Sequence, residues 1–110
     1  MENRERLTRF FEAENQRDWI AYAAFLHPDI EWVLIQNRET RIIRGRRAYL
    51  RTIKAAYAGN EDSFICEALY SGESGDCITT VLRNNHEQLS TDIFEFENGL
   101  IRKEWEFLLG

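Results

Sequence analysis

Along the first sixteen residues, apolar positions recur at helical intervals. Leu7, Phe10 and Phe11 share one side of Glu2–Gln16 and charged residues occupy the rest, which predicts an amphipathic helix. Asp18 then stands as the N-cap of a second helix whose stripe is Trp19, Tyr22, Ala23, Phe25 and Leu26, ended by Pro28. The period shortens at "DIEWVLIQ", Asp29 to Gln36, a run too short for another helix and rich in β-branched and aromatic residues, which predicts a strand. "RIIR" makes a short return strand up to Gly45. Ala48, Tyr49, Ile53, Ala56 and Tyr57 restore the helical spacing, closed by Gly59-Asn60. From Ser63 onward the pattern alternates: "SFICEALY", "CITTVLR", "QLSTDIFEF" and "LIRKEWEFLL", separated by "SGESGD", "NNHE" and "NG". These are four strands of a meander.

Helices followed by an antiparallel meander make an α+β pattern, with three N-terminal helices gathered on one face of a curved sheet. At 110 residues the chain suits one domain, 1–110, and no repeat, linker or low-complexity block divides it. A net charge of -5, with both signs mixed along the chain, argues against nucleic acid or an anionic membrane surface as partner. "RIIRGRR", Arg41 to Arg47, is the one basic cluster. Without a glycine-rich loop beside it, it reads as a solvated hairpin and helix start rather than a phosphate site. Cys66 and Cys77 lack a paired spacing and no apolar leader precedes the chain, which predicts free thiols in the cytoplasm. No stretch approaches the roughly 20 apolar residues of a membrane helix. His27, before Pro28 at the end of the second helix, and His86, in a hairpin connection, read as surface residues. With no Cys or His cluster, neither a metal nor a cofactor is expected.

Three stretches, "NQRDWIAYAAFLHPDIEW", "IIRGRRAYLRTI" and "DIFEFENGLIRKEWEF", resemble the helix-helix-strand entry, the strand-glycine-helix step and the closing hairpin of the nuclear transport factor 2-like superfamily, in its SnoaL-like and ketosteroid-isomerase-like branches. The resemblance implies a cone-shaped α+β barrel with a pocket between the concave side of the sheet and the helices. It also implies polyketide-cyclase-like or isomerase-like proton transfer on a small apolar carbonyl compound. Two parts of a ketosteroid isomerase are missing: Leu34 stands where the shuttling aspartate would fall, and Phe10 where the first-helix tyrosine would.

Which carboxylates face that pocket depends on the turn at Asn98-Gly99. A two-residue turn pairs Glu97 with Leu100 and puts Asp92, Phe94, Phe96, Ile101, Lys103, Trp105 and Phe107 on one side, separating apolar from charged. A three-residue loop, Glu97 to Gly99, sets Asp92 opposite Glu104 and turns Glu104 and Glu106 inward with it. Pattern alone favours the first. The resemblance favours the second, because "KEWE" matches a family stretch whose acid/base aspartate falls on Glu106, and both branches point Asp92 inward. Adopting the second makes Asp92 and Glu106 the candidate catalytic acids and bases. Trp19, Tyr22, Trp32, Leu34, Tyr57, Phe94 and Glu104 become candidate ligand contacts, although the aromatic residues among them suit a core equally well. It also leaves Ile101, Trp105, Phe107 and Leu109 outside with Ile93 as an apolar patch, which predicts a homodimer. A noncatalytic binding or dimeric interaction module is the alternative to an enzyme.

Overall fold

The computed structural model describes all residues from Met1 to Gly110. Three helices, α1 (Asn3–Gln16), α2 (Trp19–Ala23) and α3 (Arg46–Tyr57), are combined with six strands: β1 (Leu26–Gln36), β2 (Glu39–Arg44), β3 (Phe64–Ser71), β4 (Cys77–Asn84), β5 (Leu89–Glu97) and β6 (Leu100–Leu108). The sheet order is β2-β1-β6-β5-β4-β3. The meander β3 to β6 is antiparallel as expected, and β1 joins it through a parallel pairing with β6. The sheet curls around the helices without closing. This is an α+β cone. Its core fills the space between helices and sheet, from Leu7, Phe10 and Phe11 on α1 and Tyr49 and Ile53 on α3 to Ile30, Ile78, Phe94 and Ile101 on the strands.

The second helix is shorter than its apolar stripe suggests. Asp18 caps it, accepting from the Ala21 N–H at 3.2 Å, but it ends at Ala23, and Leu26 already pairs with Ile101. Proline disfavours helical backbone at the residue before it, so His27 is extended within β1 rather than at a helix end. Pro28, which has no N–H to give the ladder, lies where the β1–β6 register slips between Leu26 and Glu31.

The closing hairpin combines features of both anticipated registers. Asn98 and Gly99 both have positive φ, 51° and 79°, and Glu97 pairs with Leu100. The connection is thus a two-residue primed turn, not the three-residue loop adopted from sequence. Further along, Phe96 pairs with Ile101 and Glu95 with Lys103, leaving Arg102 as an extra, bulged residue. The bulge reverses the facing of everything after it. Ile101 lies inside the cone at 0% exposure, correcting its expected place in an outer patch. Beyond Arg102, Glu104 and Glu106 turn inward and Trp105 and Phe107 outward. Asp92 sits opposite Glu106, and Phe94 opposite Glu104, where the adopted register set Asp92 against Glu104. Arg102 reaches into the irregularity around Pro28 and donates from Nη1 to the Asp29 carbonyl at 2.5 Å.

Candidate functional site

The bulge brings three carboxyl groups together on the concave face. Oxygens of Asp92, Glu104 and Glu106 lie within 4.8 Å of one another, on the floor of a pocket of about 390 Å³. Asp92 and Glu104 are buried, at 2% and 5% exposure. A fourth carboxyl, Glu14, enters from α1. It stands on the same helical face as Leu7, Phe10 and Phe11, one turn further along. The pocket is otherwise lined by aromatic rings, including Phe10, Tyr22, Trp32, Tyr49, Tyr57 and Phe94, and no Lys, Arg or His faces it.

Phenols link the carboxyls. Tyr49 donates to Glu104, Tyr57 donates to Glu14, and the Tyr22 hydroxyl donates to Glu14 at 2.9 Å. The Tyr22 and Tyr49 hydroxyls are 3.3 Å apart, where either can donate. Each phenol carries one proton. The three contacts running Glu14, Tyr22, Tyr49, Glu104 therefore require a third proton if all are hydrogen bonds, and a neutral carboxyl at one end supplies it. Asp92 has a donor of its own in the Ser90 hydroxyl at 2.7 Å.

Burial, with no cation lining the pocket, sets the protonation of the group. Desolvation pushes Asp92 up to about 7, against the Ser90 hydrogen bond and aided by the charge of Glu14. Glu104 is raised well above the carboxylate range by desolvation and then by the charges of Glu106 and Asp92. Glu106 is raised by desolvation and then by the charges of Asp92 and Glu14, and Glu14 is raised by desolvation against its Tyr57 and Tyr22 hydrogen bonds and the charge of Arg17. The four acids cannot all be ionised at neutrality, so the cluster shares protons. Three convergent oxygens also suit a hard cation in number. The phenol and serine donors on Glu104 and Asp92 use those oxygens in the manner of proton sharing instead.

Glu106 has the fewest partners of the three. It is half-buried, and the nearest donor is the indole N–H of Trp32, which tempers its pKa without reaching normal hydrogen-bond geometry. Trp32 Nε1 is the one buried side-chain polar atom left without a partner.

Of the residues singled out from sequence, Asp92, Glu104, Glu106, Tyr22, Trp32, Tyr57 and Phe94 line this pocket. Leu34 lies in an outer recess that adjoins it. Trp19 is in neither, packing edge-on to Tyr22 at 5.3 Å and against Tyr57 at 5.9 Å. Glu14 and Tyr49 were not singled out as site residues. Glu14 carried a signal, a charge on the apolar face of α1; Tyr49 looked like any core aromatic. Phe10 stacks on Tyr22 at 4.1 Å between ring centres, so the phenol absent from α1 is supplied to the site by α2 and α3.

The model of the SnoaL-like domain matches residues 7–104. The chain belongs to the SnoaL-like domain family. A search of curated proteins found no match. Among solved structures, a proposed ketosteroid isomerase from Kribbella flavida is 22% identical, covering 98% of this chain and 78% of that one, with a TM-score of 0.83. SalBIII, an epoxide hydrolase/cyclase-like enzyme of pyran ring formation in the polyether salinomycin, is 15% identical over 96% of this chain and 89% of its own, TM-score 0.79. RV0760c from Mycobacterium tuberculosis, solved with estradiol-17beta-hemisuccinate, is 15% identical over 96% and 93%, TM-score 0.78. At these identities the likeness to the solved SnoaL-like structures is one of fold.

Proposed function

We propose that this SnoaL-like chain, one domain over residues 1–110, catalyses proton transfer on a small apolar molecule bearing a carbonyl oxygen, as a cyclase-like or isomerase-like enzyme. The carrying observation is the cluster of Asp92, Glu104 and Glu106 carboxyls on the floor of an aromatic pocket without a cation. Acids of raised pKa hold both protonation states near neutrality, which is what a shared acid/base site needs. One carboxylate takes a proton from the carbon beside the carbonyl, and a neutral neighbour gives one to the oxygen. The net charge of the cluster is then unchanged, so no charge is created in a medium that solvates it poorly. Glu106, least engaged by the protein, is the group that meets the substrate. Asp92 and Glu104, held by Ser90 and Tyr49, keep the shared proton in place. The unpartnered Trp32 N–H suits the substrate oxygen. RV0760c, solved with estradiol-17beta-hemisuccinate, and SalBIII, cyclase-like in pyran ring formation, support a small-molecule pocket on this fold.

Exchange of the α-protons of a ten-carbon methyl ketone in D2O tests this reading. The protein is expected to accelerate deuterium uptake above buffer, with Glu106→Gln and Asp92→Asn abolishing the acceleration while remaining folded. Binding of the ketone without exchange turns the proposal into its alternative, a noncatalytic ligand-binding module.

A homodimer is part of the proposal. One cross-strand row on the convex face runs Ile42, Val33, Trp105, Ile93, Thr79, Tyr70 across all six strands, with Ile42 44% and Tyr70 68% exposed. An apolar band of that length is suited to a twofold copy of itself. A cytoplasmic setting fits the two exposed, unpaired thiols of Cys66 and Cys77.

A further inference from the structure

The run "RIIRGRR" reads in sequence as a solvated hairpin and helix start, and the fold shows what it surrounds. Between Arg38 and Lys54 lie seven of the chain's fourteen Lys and Arg and only one of its nineteen Asp and Glu, in a chain of net charge -5. These residues form β2 and α3, which flank an outer recess of about 650 Å³. The recess shares Glu14, Trp32, Tyr57 and Glu106 with the inner pocket, so the two adjoin at these side chains.

Two of the arginines line the recess. Arg41 is on the concave side of β2, in a cross-strand row that reads Arg41, Leu34, Glu106, Asp92. Arg51 faces it from α3. Neither makes an ion pair or a side-chain hydrogen bond, whereas Arg44 is paired with Glu31 and Arg46 donates to the Leu26 carbonyl. The acids that share the recess are otherwise engaged or remote. Asp62 is paired with His86 at 2.8 Å, Glu14 is held by two phenols, and Glu106 stands two strands from Arg41. At the usual strand spacing that separation is about 10 Å between backbones. The two adjoining spaces are therefore oppositely polarised, with free guanidinium groups in the outer recess and the carboxyl cluster in the inner pocket.

We infer that Arg41 and Arg51 form an anion site, and that the ligand is an amphipathic anion whose carboxylate or phosphate stays in the outer recess while its neutral, oxygen-bearing end rests on the carboxyl cluster. Guanidinium forks suit either anion, bidentately and without losing their charge. An anionic group further in would meet the carboxyls and no cation. The polarity thus sets the direction of entry as well as the class of ligand. The inference rests on the inner pocket taking a neutral oxygen, as proposed above, and adds a span of about 10 Å between the two groups.

Binding followed by NMR chemical shifts tests it with four probes: a ten-carbon methyl ketone, the same chain ending in a carboxylate, the same chain ending in a phosphate, and the ten-carbon fatty acid without the ketone. The two keto-anions are expected to bind roughly tenfold more tightly than the neutral ketone. Arg41→Gln/Arg51→Gln, both exposed positions, should reduce them to the level of the neutral ketone and leave that ketone unchanged. The ratio of carboxylate to phosphate affinities tells which anion the site prefers. Equal binding of neutral and anionic ketones overturns the inference. So does a double variant that keeps the preference while the titration of Asp92 shifts, since the arginines would then be counter-charges for the cluster. If no ketone binds but the fatty acid does, and the double variant loses it, the anion site stands and the proton-transfer reading falls.

Discussion

The two faces of one sheet, built from the same strands, have opposite characters. On the concave side the row through the site is Arg41, Leu34, Glu106, Asp92, Thr80, Leu69, and its neighbour is Ile43, Trp32, Glu104, Phe94, Ile78. Acids there sit among aromatic rings, hold protons and lack cations. On the convex side, charges lie in a row of their own: Arg44, Glu31, Lys103 and Glu95 alternate in sign across four strands, with Glu31 held below the usual carboxylate range by the Lys103 hydrogen bond, against a smaller desolvation and helped by Arg44. Beside that row runs the largely apolar band, in which Thr79 is the one hydroxyl-bearing aliphatic residue. The difference teaches that position on the sheet, more than residue type, decides what a carboxyl does here. A glutamate next to a cation and water is a solubilising charge, whereas one surrounded by phenols and phenylalanines is a proton carrier.

The comparison breaks most violently if the aromatic packing of the concave side is removed. Phe94 is buried between Phe10 and Phe11, so Phe94→Ala is expected to cost about 3–5 kcal/mol in denaturant unfolding. A near-neutral result would mean that the ring lines a cavity and holds up no core. Trp105→Glu attacks the other face. Light scattering is expected to show a dimer for the wild-type protein and a monomer for the variant, with the thermal unfolding of the subunit little changed. A wild-type monomer, or a variant that unfolds instead of dissociating, would remove the convex interface.

The third test concerns pH. Unfolded Asp92 titrates near about 3.9, and in the fold it is pushed up to about 7. The folded chain therefore binds this proton more tightly. The stability it contributes is fully present below the unfolded value and is lost as pH rises through the folded one. Stability is expected to fall between roughly pH 4 and 7, and further above it as Glu104 and Glu106 ionise, with Asp92→Asn flattening the lower part of the slope. Thermal melts across that range decide it, and a wild-type profile that rises with pH would contradict the desolvated cluster. The smallest effect is expected on the charged convex row. Glu95→Gln should change stability by no more than about 0.5 kcal/mol and leave the Asp92 titration where it was, a result that carboxyl NMR can show.

Much of this contrast is legible in the sequence because it is local. Ala48, Tyr49, Ile53 and Tyr57 mark α3, Asp18 marks a cap, Asn98-Gly99 marks a primed turn, and alternation marks the four strands of the meander. Less local effects are harder to read. The apolar stripe from Trp19 to Leu26 overstates α2, because Leu26 is claimed by Ile101, a partner 75 positions away. Tyr49 is indistinguishable from a core aromatic until Glu104 is seen beside it. Family resemblance, not turn geometry, points Glu104 and Glu106 inward: a two-residue turn by itself would expose both, and the bulge that turns them in lies at Arg102, which reaches Asp29 on another strand.

Arg102 consequently acts as a parity bit for the last strand. Substitutions in β6 alter one side chain at a time, but flattening the bulge, so that Arg102 took an ordinary place in the ladder opposite Glu95, would exchange the two faces of everything from Lys103 to Leu108, carrying the acids to the outside and Trp105 and Phe107 into the cavity. The chemistry of the pocket and the cohesion of the outer surface are thereby tied to the same single position. In descent from a common ancestor, point changes can tune either face, whereas loss of the bulge at unchanged length would alter both at once.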